Sequence, residues 1–128
     1  MFNLIYRDGA PENTGHYEVF DKATGSGKAL KVGQLVSVSG NTASAYSSGK
    51  PYGVVAIKAA DGENEVTVLR ITDDMIFGAT LTGSATVGGA LKHTATGVGT
   101  TTTTGYGFEV TEVVSDKLVK GRFVNLGA

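Results

Sequence analysis

The feature that most constrains the fold is an order of motifs that occurs twice along the chain. Each half has a Val-Gly pair, an apolar segment, a polar stretch, a Tyr-Gly pair, a polar turn and an apolar segment that contains an arginine. Repetition of this kind indicates copies of one supersecondary unit. We therefore predict two related units, over residues 32–71 and 87–124. The paired motifs are Val32-Gly33 and Tyr52-Gly53 in the first half, and Val87-Gly88 and Tyr106-Gly107 in the second.

Both units have the residue types of β-strands. The 19 glycines and the many valines and threonines disfavour helices, and β-branched side chains fit a pleated sheet. The segment Tyr52–Lys58 places Val54 on one face and Val55 on the other, so it predicts a central strand that is apolar on both faces. About eight short strands at regular spacing predict an all-β fold, a small barrel or sandwich built from the two units.

The N-terminal segment falls outside the repeat. The chain of 128 residues fits one domain, and we predict an extended N-terminal arm over residues 1–15 and a single β domain over residues 16–128. Apolar residues Phe2 to Tyr6 precede a stretch rich in breakers, Asp8 to Asn13. Such an arm either docks on another subunit or folds as a strand onto its own domain. In the first case, deletion of residues 1–10 is expected to leave the fold intact but to weaken binding to the partner.

The segment between the two units has the pattern of a helical turn. Thr72 can cap such a turn, and Asp73-Asp74 would favour its N-terminus. We predict one helical turn over residues 72–77. The apolar residues of the joining segment, Ile71 to Thr86, are expected to close one end of the core.

Charge and composition exclude several classes of partner. The formal net charge is −1, and the lysines and arginines do not cluster, which argues against a nucleic-acid partner. The chain has no cysteine, so it forms neither a disulfide nor a thiolate metal site. Met1 to Tyr6 is too short for a signal peptide, and no apolar segment is long enough for a membrane span. We expect synthesis in the cytoplasm and no membrane partner.

The stretch Lys22 to Leu30, KATGSGKAL, has part of a phosphate-binding loop. Such a loop needs a glycine five positions before its Gly-Lys pair and a Ser or Thr after the lysine. Lys22 and Ala29 occupy these two positions. We therefore interpret the stretch as a turn between strands, and we predict no nucleotide cofactor.

No motif predicts catalysis or a bound metal. His16 and His93 have no set of neighbouring ligands of the kind that zinc requires, so each is predicted to be a surface or strand residue. Gly25-Ser26-Gly27 does not have the Gly-x-Ser-x-Gly spacing of a nucleophile elbow. We predict a protein that is not an enzyme and has no catalytic, cofactor-binding or metal-binding residue. A small hydrolase with a pair of carboxylates that meet in space is the rival interpretation.

Three tyrosines allow a carbohydrate-binding alternative. Tyr46, Tyr52 and Tyr106 have rings that can stack on a sugar, and the run Thr100 to Thr104 can form an exposed loop or edge strand beside them. Packing in a core or interface, with the hydroxyl at the rim, explains the same residues and is the interpretation we favour.

Most of the chain from Tyr17 onward resembles the small decoration (cement) proteins of tailed-phage capsids. The resemblance lies in the order and spacing of short motifs and in the polar tract of residues 94–105. These motifs are Lys31–Val36 (KVGQLV), Pro51–Val55 (PYGVV), Glu65–Leu69 (EVTVL), Val87–Leu91 (VGGAL), Gly105–Phe108 (GYGF) and Lys120–Val124 (KGRFV).

The resemblance implies a structural role. Such proteins bind the outside of the expanded shell, commonly as homotrimers, and hold neighbouring copies of the major capsid protein together. They have no catalytic residues. For the capsid contact we predict the N-terminal segment, which can add a strand to a partner's sheet edge; its residues are Phe2, Asn3, Leu4, Ile5, Tyr6 and Arg7. A carbohydrate-binding module and a tail or fibre subunit remain alternatives.

Overall fold

The computed structural model describes residues 1–7, 16–23, 29–57 and 64–127. Within these ranges all the regular secondary structure is β-strand, which confirms the all-β prediction. The described residues form eleven strands, whereas about eight were predicted. The linker of residues 8–15 and the turns at residues 24–28 and 61–62 lie outside the described residues. The strands are β1 (Phe2–Arg7), β2 (Tyr17–Lys22), β3 (Leu35–Ser39), β4 (Thr42–Ala45), β5 (Gly53–Ile57), β6 (Glu65–Arg70), β7 (Met75–Thr80), β8 (Ala90–His93), β9 (Val98–Thr101), β10 (Tyr106–Ser115) and β11 (Leu118–Asn125).

The strands form two sheets with matching connectivity. One sheet is a closed five-stranded barrel in the order β2-β4-β3-β5-β6, and the other has six strands in the order β1-β7-β11-β10-β8-β9. In residues 32–71, β3 pairs with both β4 and β5, and β5 pairs with β6. In residues 87–124, β8 pairs in the same way with β9 and β10, and β10 pairs with β11. The strand that precedes each segment pairs with the last strand of that segment: β2 with β6, and β7 with β11. The chain therefore contains two five-stranded units of one topology.

The two units differ in how they close. In the first unit β2 pairs in parallel with β4, which completes the barrel. In the second unit the corresponding contact is one parallel bridge between Leu81 and Val98, with a backbone hydrogen bond of 2.9 Å from Thr82 N to Val98 O. The rest of that side of β7 is occupied by β1. The N-terminal strand thus takes the place of a full closure.

The two Val-Gly motifs form equivalent turns. Gly33 and Gly88 have positive φ angles of 89° and 88°, a conformation that glycine adopts without steric cost. The Tyr-Gly motifs, in contrast, are one residue out of register, because Gly53 lies opposite Val36 whereas Phe108 lies opposite Leu91. The equivalent backbone hydrogen bonds run from Gly33 N to Val55 O (2.9 Å) and from Gly88 N to Val110 O (2.8 Å).

Two apolar clusters hold the fold together. One is formed by residues of the barrel, and the larger one joins the barrel to the six-stranded sheet. Neighbouring residues in Leu35-Val36, Val54-Val55 and Val68-Leu69 belong to different clusters, because side chains alternate across a strand. β5 lies between β3 and β6, which confirms the prediction of a central strand. Each fully buried Val, Leu, Phe or Met side chain in these clusters stabilises the folded state by about 1.5–3 kcal/mol.

The first seven residues belong to the domain. β1 pairs antiparallel with β7, and Phe2 is 1% exposed, with its ring centroid 5.9 Å from that of Phe108. The second alternative for this segment, a strand that folds onto its own domain, is therefore the one observed for residues 1–7. Deletion of residues 1–10 removes Phe2 from the core, so we now expect it to destabilise the fold and not to leave it intact.

The predicted helical turn over residues 72–77 is also wrong. Residues 73–74 form a turn, and Met75 already begins β7. β7 lies between β1 and β11, and its first five residues are buried. Tertiary packing outweighs the local signal here, because strand pairing on both sides and burial of the whole segment satisfy more groups than one capped turn. The apolar side chains of the joining segment enter the core as a strand.

Candidate ligand cleft and interaction edges

An open cleft of about 1170 Å³ lies where the two units meet. Its lining comes from the barrel, from the end of β11 with Tyr106, and from the linker between β6 and β7. Residues far apart in the sequence therefore form one surface. They are His16, Ser37, Val38, Ser48, Lys50, Pro51, Tyr52, Arg70, Ile71, Thr72, Asp73, Tyr106, Phe123, Val124 and Asn125.

Tyr52 has a fixed orientation in this cleft. Its hydroxyl donates a hydrogen bond of 2.5 Å to Glu18 Oε1, and the Phe20 ring meets it edge-on at a centroid distance of 5.5 Å. The hydrogen bond to Glu18, followed by burial, raises the pKa of Tyr52 above its ordinary value, so the hydroxyl stays protonated at neutral pH. The guanidinium carbon of Arg70 lies 5.6 Å from the ring centroid. The ring of Tyr52 therefore already carries the Arg70 guanidinium on its face and is not available to stack on a sugar.

The cleft contains cations without a carboxylate partner. Within the described residues, neither Lys50 nor Arg70 has a carboxylate at ion-pair distance. The nearby carboxylate of Glu18 is instead 3.6 Å from His16 Nε2. Asp73 is exposed and is the carboxylate among the lining residues. The cleft thus offers both donors for an anionic group and an acceptor for hydroxyl groups.

The structure separates the three tyrosines of the carbohydrate-binding alternative. Tyr52 and Tyr106 line the cleft, whereas Tyr46 does not. Tyr46 packs on the main core cluster and donates a hydrogen bond of 2.7 Å to Gly49 O. The run Thr100 to Thr104 begins in β9 and does not line the cleft. Two of the three predicted tyrosines therefore line the cleft, one from each unit, and the ring of Tyr52 is already stacked under Arg70.

The two histidines have different environments. His16 is exposed beside Glu18, whereas His93 lies in β8 and is 8% exposed. Neither ring nitrogen of His93 has a hydrogen-bond partner, and its ring lies 5.0 Å from that of Tyr46 and 5.4 Å from that of Phe123. Burial lowers the pKa of His93 to about 4. The described residues contain no group of three or more metal-ligating side chains.

The predicted contact segment forms one edge of the six-stranded sheet. β1 pairs with β7 and with no other strand among the described residues. Because Phe2 is held in the core, it is not available to a partner. Contact through the rest of the segment stays a prediction. Along the strand, Phe2 is buried, Asn3 is exposed, Leu4 and Ile5 are half-buried, and Tyr6 and Arg7 pair with β7 through their backbones.

A second free edge lies on the opposite side of the same sheet. β8 pairs with β10 at Phe108 and Glu109, so the last five residues of β10 pair on one side, with β11, within the described part of the chain. We call residues 111–115 the β10 edge. All of these side chains are exposed, Val113 to 40% and Val114 to 45%. An unpaired edge with exposed β-branched side chains is a surface to which a further strand can add.

Sequence reasoning missed both the β10 edge and the charged part of the cleft. The run Glu112-Val113-Val114-Ser115 departs from the apolar/polar alternation of a half-buried strand, which is a weak sequence signal at this position. Nothing comparable marks the cleft, because its residues come from separate segments.

Comparisons with protein-family models, with curated proteins and with solved structures found no match. No helix in the described ranges is long and apolar enough to cross a membrane. The fold defines the chain as an all-β protein of two related units, and its function is inferred from its own residues.

Proposed function

We propose that the chain is a decoration protein of a tailed-bacteriophage head. It binds the outer surface of the mature shell and stabilises the shell by bridging neighbouring copies of the major capsid protein. The resemblance in motif order and the all-β fold support this proposal. In this role the protein is a homotrimer on the exterior of the virion, is made in the host cytoplasm, and acts without catalysis or a cofactor.

The observation that carries the proposal is that one sheet has strand edges on opposite sides that pair with no further strand among the described residues. The β10 edge lies on one side, and β1 lies on the other, in the order β1-β7-β11-β10. A protein that bridges two subunits needs two separate contacts. The β10 edge offers backbone N–H and C=O groups to an extended strand of a capsid subunit, and its exposed valines add apolar contact. On β1 such groups are offered beyond Phe2, because the Phe2 N–H already donates a hydrogen bond of 2.8 Å to Gly33 O.

Weak individual contacts are sufficient for such a role. Copies that are linked as an oligomer and bind a repeating surface gain avidity from effective concentration. The formal net charge of −1 allows many copies to lie close together without strong repulsion. The affinity of one isolated chain for the shell is therefore expected to be low, and that of the oligomer much higher.

The first test is the copy number of the protein in purified particles, relative to the major capsid protein. A copy number similar to that of the capsid protein supports a decoration role. A few copies per particle contradict it and favour a tail or fibre subunit, and absence from the particles overturns it.

The second test places a charge on the β10 edge. Val113→Lys is expected to weaken binding to purified shells, because a lysine on an edge strand opposes strand addition. Val19→Lys is the matched control, since Val19 is 57% exposed and lies on the barrel. Equal shell binding by the two variants, at unchanged melting temperatures, would remove the β10 edge from the proposal.

A further inference from the structure

We propose that the cleft between the two units binds a saccharide that bears a carboxylate group. This binding site is separate from the β10 edge and does not depend on the role at the capsid. It is inferred from four features of the cleft: Arg70 stacked on Tyr52, the second cation Lys50, several polar groups that can pair with hydroxyls, and the ring of Tyr106.

Arg70 is the group that would bind the carboxylate. Its guanidinium lies over the ring of Tyr52, and that ring is fixed by Glu18 and Phe20. A stacked guanidinium loses little further freedom when it forms a two-pronged contact with a carboxylate. Since no carboxylate among the described residues pairs with Arg70, its donors are available to a ligand. Lys50 lines the same cleft and adds a second positive charge.

The other polar residues fit hydroxyl groups. Ser37, Ser48 and Asn125 line the cleft and can each donate and accept a hydrogen bond. Asp73 is acceptor-only when ionised, so it suits a pair of sugar hydroxyls. The same negative charge opposes a dianionic phosphate or a run of phosphates, because like charges at close range repel. The charge pattern therefore favours one carboxylate among hydroxyls over a phosphorylated ligand.

The cleft also has an apolar wall and considerable size. Tyr106 and Phe123 line it from the six-stranded sheet, whereas Arg70 lines it from the barrel. Tyr106 is half-buried and has no aromatic partner among the described residues, so its ring can contact the C–H face of a sugar. The volume of about 1170 Å³ exceeds the ~300–1,000 Å³ usual for small-molecule sites. An oligosaccharide fits this size better than a single sugar.

Binding of a defined probe by the full chain tests the proposal. The probe is a tetrasaccharide of alternating glucuronate and N-acetylglucosamine, and its carboxyl-reduced form is the neutral counterpart; both are titrated by calorimetry. We expect the acidic form to bind and the neutral form to bind at least about tenfold more weakly, since a charge-assisted contact contributes more than a neutral one. Addition of salt should weaken binding of the acidic form.

Two variants assign the binding to the cleft. Arg70→Gln and Tyr106→Ala should each raise the Kd about tenfold or more, whereas Lys92→Gln, on the exposed face of β8 outside the cleft, should leave it unchanged. If Arg70→Gln fails to fold, as judged by circular dichroism, Lys50→Gln is the replacement variant, with the same expected direction.

Four outcomes would overturn the proposal. Two concern the probe: equal binding of the acidic and neutral forms, or no binding of either form at millimolar concentration. The third is an unchanged Kd in Arg70→Gln and Tyr106→Ala, and the fourth is displacement of the saccharide by an oligoglutamate peptide that binds more tightly. The last outcome would identify an acidic protein segment as the ligand. Loss of shell binding by Val113→Lys without loss of saccharide binding would show that the two surfaces act separately, as proposed.

Discussion

Phe2 packs its ring against that of Phe123, with the centroids 5.3 Å apart, so the start of the chain and its last strand share one aromatic cluster. Phe123 also contacts Phe77 at 5.4 Å and Phe108 at 5.2 Å. β1 is therefore a part of the folded domain whose removal affects the core.

The first prediction follows from this contact. Phe2→Ala should lower the free energy of unfolding by about 3 kcal/mol or more, because it leaves a cavity among aromatic rings. Urea denaturation measures the loss. Val19→Ala, an exposed position on β2, is the control and should change stability by no more than about 0.5 kcal/mol. A similar effect of both substitutions would mean that β1 does not belong to the cooperative unit.

The second prediction concerns acid stability. Burial lowers the pKa of His93 from its ordinary value of 6.5 to about 4. The unfolded state then binds the proton more readily, so stability is full above about pH 6.5 and decreases as the pH falls toward 4, by roughly 3 kcal/mol at most from this group. Chemical denaturation between pH 7.5 and 4 measures this decrease.

His93→Leu is the matched variant for this prediction. It should flatten the acid limb of the stability curve, and it should cost little at pH 7 because neither ring nitrogen of His93 has a hydrogen-bond partner to lose. An unchanged acid limb in His93→Leu would assign the pH dependence to other groups.

The third prediction concerns a glycine at a close approach of two strands. A Cβ at Gly121 would lie 2.1 Å from Glu109 O, so Gly121→Ala should destabilise the protein by about 3 kcal/mol or more. Gly99→Ala, in β9 of the same sheet, is the control, because the nearest atom to its Cβ is Thr82 O at 3.6 Å. Thermal melting distinguishes them: Gly99→Ala should be neutral or stabilising by up to about 1 kcal/mol.

The fourth prediction compares the two equivalent turns. Gly33→Ala and Gly88→Ala both force alanine into a positive φ, at a cost of about 1–2 kcal/mol. At Gly88 a Cβ meets open space, whereas at Gly33 it lies 3.0 Å from Phe2 O. Gly33→Ala should therefore be the more destabilising of the two in urea denaturation. Equal losses would show that the contact between the first turn and β1 relaxes at no cost.

Much of the architecture could be predicted from local sequence patterns. The β character and the central position of β5 follow from residue type and alternation, because these depend on the backbone preferences and the two faces of one strand. The doubled motif order also coincides with two units of one topology. The Tyr-Gly pairs nevertheless differ in register by one residue, a detail that only the strand pairing shows.

The tertiary structure decided what depends on contacts between distant segments. It made Met75–Thr80 a strand in spite of a local helical signal, and it placed Phe2 in the core. It also left the β10 edge unpaired and brought Arg70 and Tyr106 to one cleft. Local sequence determines which conformations each segment can adopt, but burial and strand pairing are shared between segments, so their free energy is known only once the segments are packed together.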